Sequence, residues 1–347
     1  MTQLAPQHTA GLSHFHLELE RQLEHWVGAE DERGLDPLWQ QSRQQVREYA
    51  LRPAKRVRPT LVAVGWMLAR GEGVTIPKEV VQFAAGLELL HTFMLIHDDV
   101  ADRALTRRGG PSLQRLLGAG RVGEDLAVVS GDHLYARAME VMFSTASPHA
   151  IAASRYMLEI CRHTAAGQHL DLVLTLAPLA EVTLFRTLKV ADLKTARYGF
   201  VAPLACGAML GGADRSLLEL LRRVGRHAGL AYQLRDDLIG LCGDDAVAGK
   251  AGGADYLDGK RTFPVIAAWT RADALGRAQL EALWDRPEPA FLEAARKAVA
   301  SWGGISSTQR VVEVRTRAAR RALEPLRASP ARAILDAMLS GFTRRAA

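Results

Sequence analysis

The sequence predicts an all-α protein, and three observations lead to this prediction. Alanine, leucine and arginine dominate the composition, while aromatic residues make up only 6% of it, which suits packed helices. Helix-type spacing of apolar residues recurs throughout, whereas no alternating run is long enough for a sheet. No linker rich in proline, glycine or serine divides the 347 residues. We therefore predict one large helical-bundle domain, residues 1–347.

Four helices are predicted in the N-terminal part of the chain. Residues 1–12 show no helical pattern and are expected to be disordered. The amphipathic pattern that follows begins at Ser13, a residue type that favours the N-cap position. Three more helices are predicted at about residues 37–50, 60–69 and 80–102.

The rest of the chain also has a helical pattern. Apolar periodicity predicts helices at residues 113–118, 125–143 (interrupted near Gly131), 150–176, 182–198 and 216–237. Residues 269–347 predict further helices, broken at prolines 287 and 289 and at glycines 303 and 304. This last part is rich in arginine and alanine, and we interpret it as scaffold.

Charge and cysteine content narrow the classes of function. The net charge of +6 fits acidic partners, but the basic residues are spread along the chain, which does not favour nucleic acid. Cys161, Cys206 and Cys242 lie far apart without a zinc-binding spacing, which indicates a reducing cytoplasm. The N-terminus lacks the pattern of a signal peptide. The uncharged run 199–213 is too short to cross a bilayer, so we expect no transmembrane segment.

An acidic cluster ends the predicted helix 80–102. Asp98 and Asp102 are four residues apart and therefore share a helix face, with Asp99 beside them. Carboxylates at this spacing suit Mg²⁺, which is often bound through one or two carboxylates and substrate phosphates. Arg107 and Arg108 follow, and guanidinium groups match phosphate geometry. The alternative is a solvated acidic helix end followed by a basic loop.

A second group of cations precedes the predicted helix 60–69. Lys55, Arg56 and Arg58 lie in a proline-flanked loop, where a helix N-terminus would add backbone N–H groups to an anion site. A solvated basic turn is the alternative. His91 shares the face of Asp98, although a histidine on an apolar helix is more often a core residue.

A second acidic pair lies near the end of the predicted helix 216–237. Asp236 and Asp237 are followed by a glycine-rich segment that carries Lys250 and Lys260, and lysines beside carboxylates are credible diphosphate ligands. Two acidic helix ends with scattered cations suggest one central cavity in the bundle, where facing carboxylates would hold Mg²⁺. The apolar run 87–96 would keep water out of it.

The ordered motifs resemble those of the trans-isoprenyl diphosphate synthases, the polyprenyl synthetase family. They are KRVRP, ELLH…HDDVAD…RRGGPS, SGDHL, GQHLD, LKTA, YQLRDD, GK…AD…GKRT and GGI, from about residue 55 to residue 345. The resemblance implies an all-α isoprenoid synthase fold, about three Mg²⁺ ions and usually a homodimer. It also implies condensation of isopentenyl diphosphate with an allylic diphosphate, which ionises to a carbocation without a protein nucleophile.

The resemblance also assigns roles to residues. The implied Mg²⁺ ligands are Asp98, Asp102 and Asp236, supported by Asp99 and Asp237. The isopentenyl diphosphate site corresponds to Lys55, Arg58, His91 and Arg108. The allylic diphosphate site corresponds to Arg107, Lys194, Thr195, Gln233, Lys250 and Lys260. Lys194 alone would be interpreted as a surface lysine, and the resemblance adds it to the catalytic set of Asp98, Asp102 and Asp236. Independently of the resemblance, Arg344 and Arg345 are candidates for covering the substrate.

Two departures from the family pattern stand out. Gly240 ends the second acidic motif where many members carry a third aspartate, and Pro53-Ala54 replaces the usual pair of glycines. By the resemblance, Phe93 and Met94 form the floor that sets product length, which predicts a C20 product, with C15 second and C25 third. Ordinary core packing is the alternative for both residues.

Other functions are weighed against this one. A class I terpene cyclase shares the acidic helix but needs no isopentenyl diphosphate site, and it would carry a different second metal motif. A non-catalytic synthase subunit would typically lose the first acidic motif. A basic helical scaffold for nucleic acid would leave the paired carboxylates unexplained.

Overall fold

The computed structural model describes residues 6–28, 36–71, 74–243 and 253–343. The contacts divide these residues into two compact units, each described by itself below. The N-terminal unit contains residues 6–155 and 203–214, and the C-terminal unit contains residues 156–202 and 215–343. Both units are built from helices, which confirms the predicted fold class. One domain spanning residues 1–347 stays a prediction.

Most helices of the N-terminal unit surround one long apolar helix, α4. They are α1 Pro6–Gly28, α2 Pro37–Leu51, α3 Val57–Arg70, α4 Lys78–Ala101, α5 Leu113–Leu117 and α6 Gly120–Phe143. Strands β1 Thr106–Arg107 and β2 Gly110–Pro111 form a minimal antiparallel hairpin. Helix α4 is apolar and long enough to span a membrane, but 67% of its apolar window is buried. We therefore interpret α4 as a core helix, because its Leu87 and Leu90 are fully buried.

Helices α1 and α6 differ most from their predicted bounds, and α6 begins at Gly120 rather than at residue 125. Helix α1 begins at Pro6 rather than at Ser13, consistent with the preference of proline for the first helical position. Helix α6 runs without a break through Gly131, where an interruption was expected. An added side chain at Gly131 would meet the His97 ring at 2.7 Å, so this glycine lets α6 approach α4 closely.

Helix α7 Ala150–Leu176 begins in the N-terminal unit and continues into the C-terminal unit. It is followed by α8 Leu184–Val190, a π-helical segment Ala191–Val201, α9 Ala202–Leu210 and α10 Arg215–Cys242. All but the first residue of α9 belong to the N-terminal unit, while the other three elements belong to the C-terminal unit. After the gap come α11 Ala254–Leu257, α12 Phe263–Arg271, α13 Ala274–Asp285, α14 Leu292–Ser301, α15 Gly304–Leu323 and α16 Pro330–Thr343. Buried Tyr256 and Trp284 meet edge to face, 5.1 Å apart, within one core cluster of this unit.

Helix α10 passes beyond the residues where it was predicted to end. It continues through Asp236 and Asp237 to Cys242. Leu234, Leu238 and Leu241 are buried at helical spacing along this stretch. The continuing apolar stripe stabilises the helix past the carboxylates, so the acidic pair lies inside α10 rather than at its end.

Candidate active site

The three carboxylates at the end of α4 differ in exposure. The Asp98 side chain is 24% exposed, Asp102 is partly exposed, and the Asp99 side chain is fully buried. Asp102 is the C-cap residue, and its backbone N–H donates to the carbonyl of Asp98 at 2.8 Å. Helical spacing thus leaves Asp98 and Asp102 accessible to a cation, while Asp99 points into the protein.

Asp99 is held by two protein donors. The Tyr49 hydroxyl donates to Oδ2 at 2.8 Å, and Arg107 Nε donates to Oδ1 at 2.7 Å. Burial and the neighbouring Asp99 charge raise the pKa of Tyr49, so its hydroxyl remains a donor. The supporting role of Asp99 in metal binding stays a prediction, but its contacts make it the buried counter-charge of Arg107.

The hairpin that carries the two arginines is fixed from α2. Arg52 Nη1 donates to the carbonyls of Arg107 and Pro111 at 2.9 and 2.6 Å. An added side chain at Gly110 would meet the Arg52 guanidinium at 2.7 Å, and Gly109 has a φ of +76°. The two glycines are therefore required by a close approach and by a left-handed turn.

Three of the predicted cations of the N-terminal unit, Arg58, Arg107 and Arg108, contact side chains of α4. Lys55 is exposed and Arg58 is partly buried, and Arg58 Nη1 lies 3.0 Å from His91 Nε2. Burial, aided by the charges of Arg58 and Arg108, holds the pKa of His91 well below 6.5. His91 is therefore neutral at pH 7, and its Nε2 accepts from Arg58. This contact brings together two residues that the resemblance assigned to one site.

Phe93 and Met94, the predicted floor residues, are both partly buried. The Phe93 ring lies 4.5 Å from the His97 ring and 5.1 Å from the Tyr135 ring, measured between centroids. These aromatic contacts fix the orientation of Phe93 on α4. These contacts are compatible both with a role of Phe93 in the floor that sets product length and with ordinary core packing.

The C-terminal unit contains its own polar chain. Lys194 Nζ donates to Asp171 Oδ2 at 2.9 Å, while Thr195 Oγ1 donates to Gln233 Oε1 at 2.5 Å. Gln233 Nε2 in turn donates to Asp237 Oδ1 at 2.7 Å. Lys194 and Thr195 lie in the π-helical segment, a geometry frequent at functional sites.

The two aspartates of the second acidic pair differ in exposure, as Asp98 and Asp99 do. Asp236 is exposed, whereas Asp237 is buried. Burial, together with the nearby charge of Asp255, raises the pKa of Asp237 well above 3.8. Asp236 is thus accessible to a cation, and Asp237 is tied to the polar chain through Gln233. Lys250, Arg344 and Arg345 lie outside the described residues.

Asp255 occupies the space beside Gly240. A side chain added at Gly240 would overlap the Asp255 carboxylate. Lys260 Nζ lies 3.8 Å from Asp255 Oδ1 and 3.6 Å from Asp258 Oδ2. The glycine that departs from the family pattern therefore makes room for a carboxylate from α11, which the sequence analysis did not assign to the site.

Gly240→Ala is expected to displace Asp255 and so to disturb its contact with Lys260. We predict a loss of about 1–3 kcal/mol in the free energy of unfolding, the usual cost of overpacking. Denaturant unfolding monitored by circular dichroism would measure it. Gly341→Ala is the matched control, because no described atom lies within 4 Å of a side chain added there. Equal stabilities of the two variants would contradict the close packing of Asp255 against Gly240.

The residues fit Mg²⁺ only together with a phosphate ligand. Among the described residues, no group of three or more His, Cys, Asp or Glu side chains could hold a metal ion. Asp98 and Asp102 provide the two carboxylates that Mg²⁺ commonly accepts from protein, and Arg107 lies beside Asp98 at 3.9 Å. The remaining Mg²⁺ ligands would come from substrate oxygens and water.

Comparison with known proteins decides the family. The sequence pattern described as polyprenyl synthetase matches residues 40–300. The chain belongs to the polyprenyl synthetase family. A (2E,6E)-farnesyl diphosphate synthase of Mycobacterium bovis is 36% identical over 230 residues, which are 66% of this chain and 60% of that protein. A geranylgeranyl diphosphate synthase of Mycobacterium tuberculosis is 36% identical over 252 residues, covering 71% of this chain and 69% of that protein.

The fold agrees with this membership of the polyprenyl synthetase family. A geranylgeranyl pyrophosphate synthase of Corynebacterium glutamicum, solved with isoprenyl diphosphate and magnesium, superposes with a TM-score of 0.88 at 26% identity. The superposition covers 95% of this chain and 98% of that one. The match to the farnesyl synthase, in contrast, spans about 60% of that protein's length.

Proposed function

We propose that this polyprenyl synthetase is a trans-prenyltransferase that condenses isopentenyl diphosphate with an allylic diphosphate of C5 to C15. The observation that carries the proposal is the pair of accessible carboxylates, Asp98 and Asp102, on the helix that also contacts Arg58 through His91. A metal–diphosphate site and a separate cationic anion site on one helix suit two diphosphate substrates. A terpene cyclase needs only the first of these sites.

Each group of residues has a defined task in the proposed reaction. Mg²⁺ would be held by Asp98 and Asp102 in the N-terminal unit and by Asp236 in the C-terminal unit, and it would supply Lewis-acid assistance to the departing diphosphate. Arg107 in the N-terminal unit and Lys194 and Lys260 in the C-terminal unit are each proposed as ligands of the allylic diphosphate. Lys55, Arg58, His91 and Arg108 would bind isopentenyl diphosphate. Departure of diphosphate from the allylic substrate leaves a carbocation. The isopentenyl double bond attacks this carbocation, and the condensed product then loses a proton to the released diphosphate.

The proposed main product is geranylgeranyl diphosphate, with farnesyl diphosphate and a C25 product as alternatives. Relatives at 36% identity carry both the farnesyl and the geranylgeranyl name, so the preference for C20 rests on Phe93 and Met94. We further propose a cytoplasmic homodimer. Helix α6 exposes Val122 and Val129 by 65% and 60%, and a second copy would cover this apolar face.

A product assay tests the proposal. The purified chain is incubated with Mg²⁺, isopentenyl diphosphate and, separately, C5, C10 and C15 allylic primers, and products are measured by mass spectrometry after dephosphorylation. A C20 alcohol is expected, and chelation of Mg²⁺ should abolish its formation. Products of another length would refute the floor argument but keep the enzyme class. Absence of elongation with every primer would refute the class.

Phe93→Ala is expected to lengthen the product. Removal of the ring deletes the group that contacts His97 and Tyr135 and opens space along α4. Mass spectrometry should then detect products beyond C20. Phe143→Ala, on the 40% exposed Phe143 of α6, is the control and should leave the product unchanged. An unchanged distribution in Phe93→Ala would remove Phe93 from the floor.

A further inference from the structure

Helix α4 contains a buried carboxylate, Glu88, that has no part in the function described so far. Its side chain is 2% exposed, and its neighbours in sequence, Leu87 and Leu89, are buried as well. A buried carboxylate needs charged or hydrogen-bonding partners to compensate for lost hydration. Two arginines donate to it: Arg56 Nη1 at 2.7 Å and Arg108 Nη2 at 3.0 Å, each to the same oxygen, Oε1.

The two arginines belong to different cationic turns. Arg56 lies between Lys55 and Arg58 and is the N-cap residue of α3, while Arg108 lies in the hairpin connection. Both adopt left-handed backbone conformations, with φ of 45° and 50°. Such conformations persist in residues other than glycine when surrounding contacts determine them. Glu88 provides one such contact to each turn.

Glu88 and His91 lie three residues apart on α4 and therefore on the same helix side. His91 contacts Arg58 at 3.0 Å, while Glu88 contacts Arg56 and Arg108. Helix α4 thus contacts three arginines, of which Arg56 and Arg58 lie at the start of α3 and Arg108 lies in the hairpin connection. Because its side chain is buried, Glu88 acts through these arginines and does not itself meet a substrate.

We propose that Glu88 is a positioning residue that orients Arg108 and the Lys55–Arg58 turn for the diphosphate of isopentenyl diphosphate. The inference rests on the proposed function and adds the residue that assembles its isopentenyl site. Arg107, the neighbour of Arg108, is held instead by Asp99. Glu88 and Asp99 therefore position adjacent arginines for different substrates, and loss of Glu88 affects one substrate selectively.

Glu20 offers a matched control for the loss of a carboxylate. It accepts from Arg56 Nε at 2.8 Å and Nη2 at 3.0 Å, and its side chain is 45% exposed. Glu20→Gln and Glu88→Gln therefore make the same chemical change at two partners of Arg56. Only the second variant alters the carboxylate that Arg108 contacts.

The test compares wild type, Glu88→Gln and Glu20→Gln in steady-state kinetics with each substrate varied in turn. Glu88→Gln is expected to raise KM for isopentenyl diphosphate about tenfold, the scale of one weakened charged hydrogen bond, and to leave KM for the allylic substrate within about twofold. Glu20→Gln should leave both constants within about twofold. The effect of Arg108→Gln combined with Glu88→Gln should be smaller than the sum of the two single effects, because both changes act on the contact between Glu88 and Arg108.

Two outcomes would overturn the proposal. Equal increases of both KM values would mean that Glu88 stabilises the fold without positioning either substrate. A lower KM for isopentenyl diphosphate would mean that Glu88 competes with the substrate for Arg108. If Glu88→Gln does not fold, as judged by circular dichroism, Glu88→Asp replaces it. The shorter side chain keeps the charge but retracts from Arg108, so the same selective increase in KM is expected and its absence counts against the proposal.

Calorimetric titration with inorganic diphosphate separates this inference from the proposed function. The titration omits Mg²⁺, so that only protein cations bind the probe. Glu88→Gln should bind diphosphate about tenfold more weakly than wild type, whereas Glu20→Gln should not. If wild type makes no prenyl product, the proposed function fails while this titration still decides whether Glu88 organises an anion site. Equal affinities for diphosphate in wild type, Glu88→Gln and Glu20→Gln would reject the proposed role of Glu88.

Discussion

Asp98→Asn is expected to lower kcat about 10³-fold while leaving the fold intact. The substitution keeps the shape of the side chain but removes the negative charge of a proposed Mg²⁺ ligand, and Lewis-acid assistance is worth several kcal/mol in the transition state. The Asp98 side chain is 24% exposed, and its ion-pair distance to Arg107 is long at 3.9 Å. The free energy of unfolding should therefore change by less than about 1 kcal/mol.

Kinetics at varied Mg²⁺ concentration would measure this effect. The concentration of Mg²⁺ for half-maximal activity should rise, because a ligand to the ion is lost. Asp125→Asn is the control, since it makes the same change at a side chain on α6 that is 66% exposed. Wild-type rates and an unchanged Mg²⁺ requirement in Asp98→Asn would exclude Asp98 from the metal site.

Local sequence pattern predicted the helices well where burial alone decides them. The apolar period gave α7 its observed bounds, Ala150–Leu176, and placed α2 to within a residue. Predicted helix ends were wrong where charged residues suggest a helix terminus but buried apolar residues continue the helix. The acidic pair Asp236-Asp237 resembles a helix end, but the buried stripe through Leu241 continues α10 past it.

The candidate site was only partly predictable, because some of its contacts join residues that lie far apart in the sequence. Spacing of four residues identifies Asp98 and Asp102, because both lie on the same accessible helix face. The different role of Asp99 depends on Tyr49, fifty residues earlier in the sequence, and no local pattern reveals this contact. The one available signal for Glu88 was a charged residue inside the apolar run of α4.

Asp99→Asn is expected to lower the stability of the protein, whereas Asp98→Asn is expected to weaken metal binding. Asp99 is fully buried and accepts from Tyr49 and Arg107. Removing its charge leaves the Arg107 guanidinium, 14% exposed, without a buried counter-charge. Breaking such a pair costs about 3–5 kcal/mol of unfolding free energy. Denaturant unfolding monitored by circular dichroism would measure the loss.

The kinetic consequence of Asp99→Asn follows from the same contacts. Arg107 is proposed to bind the allylic diphosphate, so its release should raise KM for the allylic substrate more than KM for isopentenyl diphosphate. Tyr49→Phe is the milder companion variant. It removes one donor to Asp99 but keeps the ion pair, and should cost about 1–3 kcal/mol of stability. If Asp99→Asn instead has wild-type stability but needs a higher Mg²⁺ concentration for activity, Asp99 is a metal ligand. Its carboxylate would then have to be released from Tyr49 and Arg107, because only then could it reach the ion.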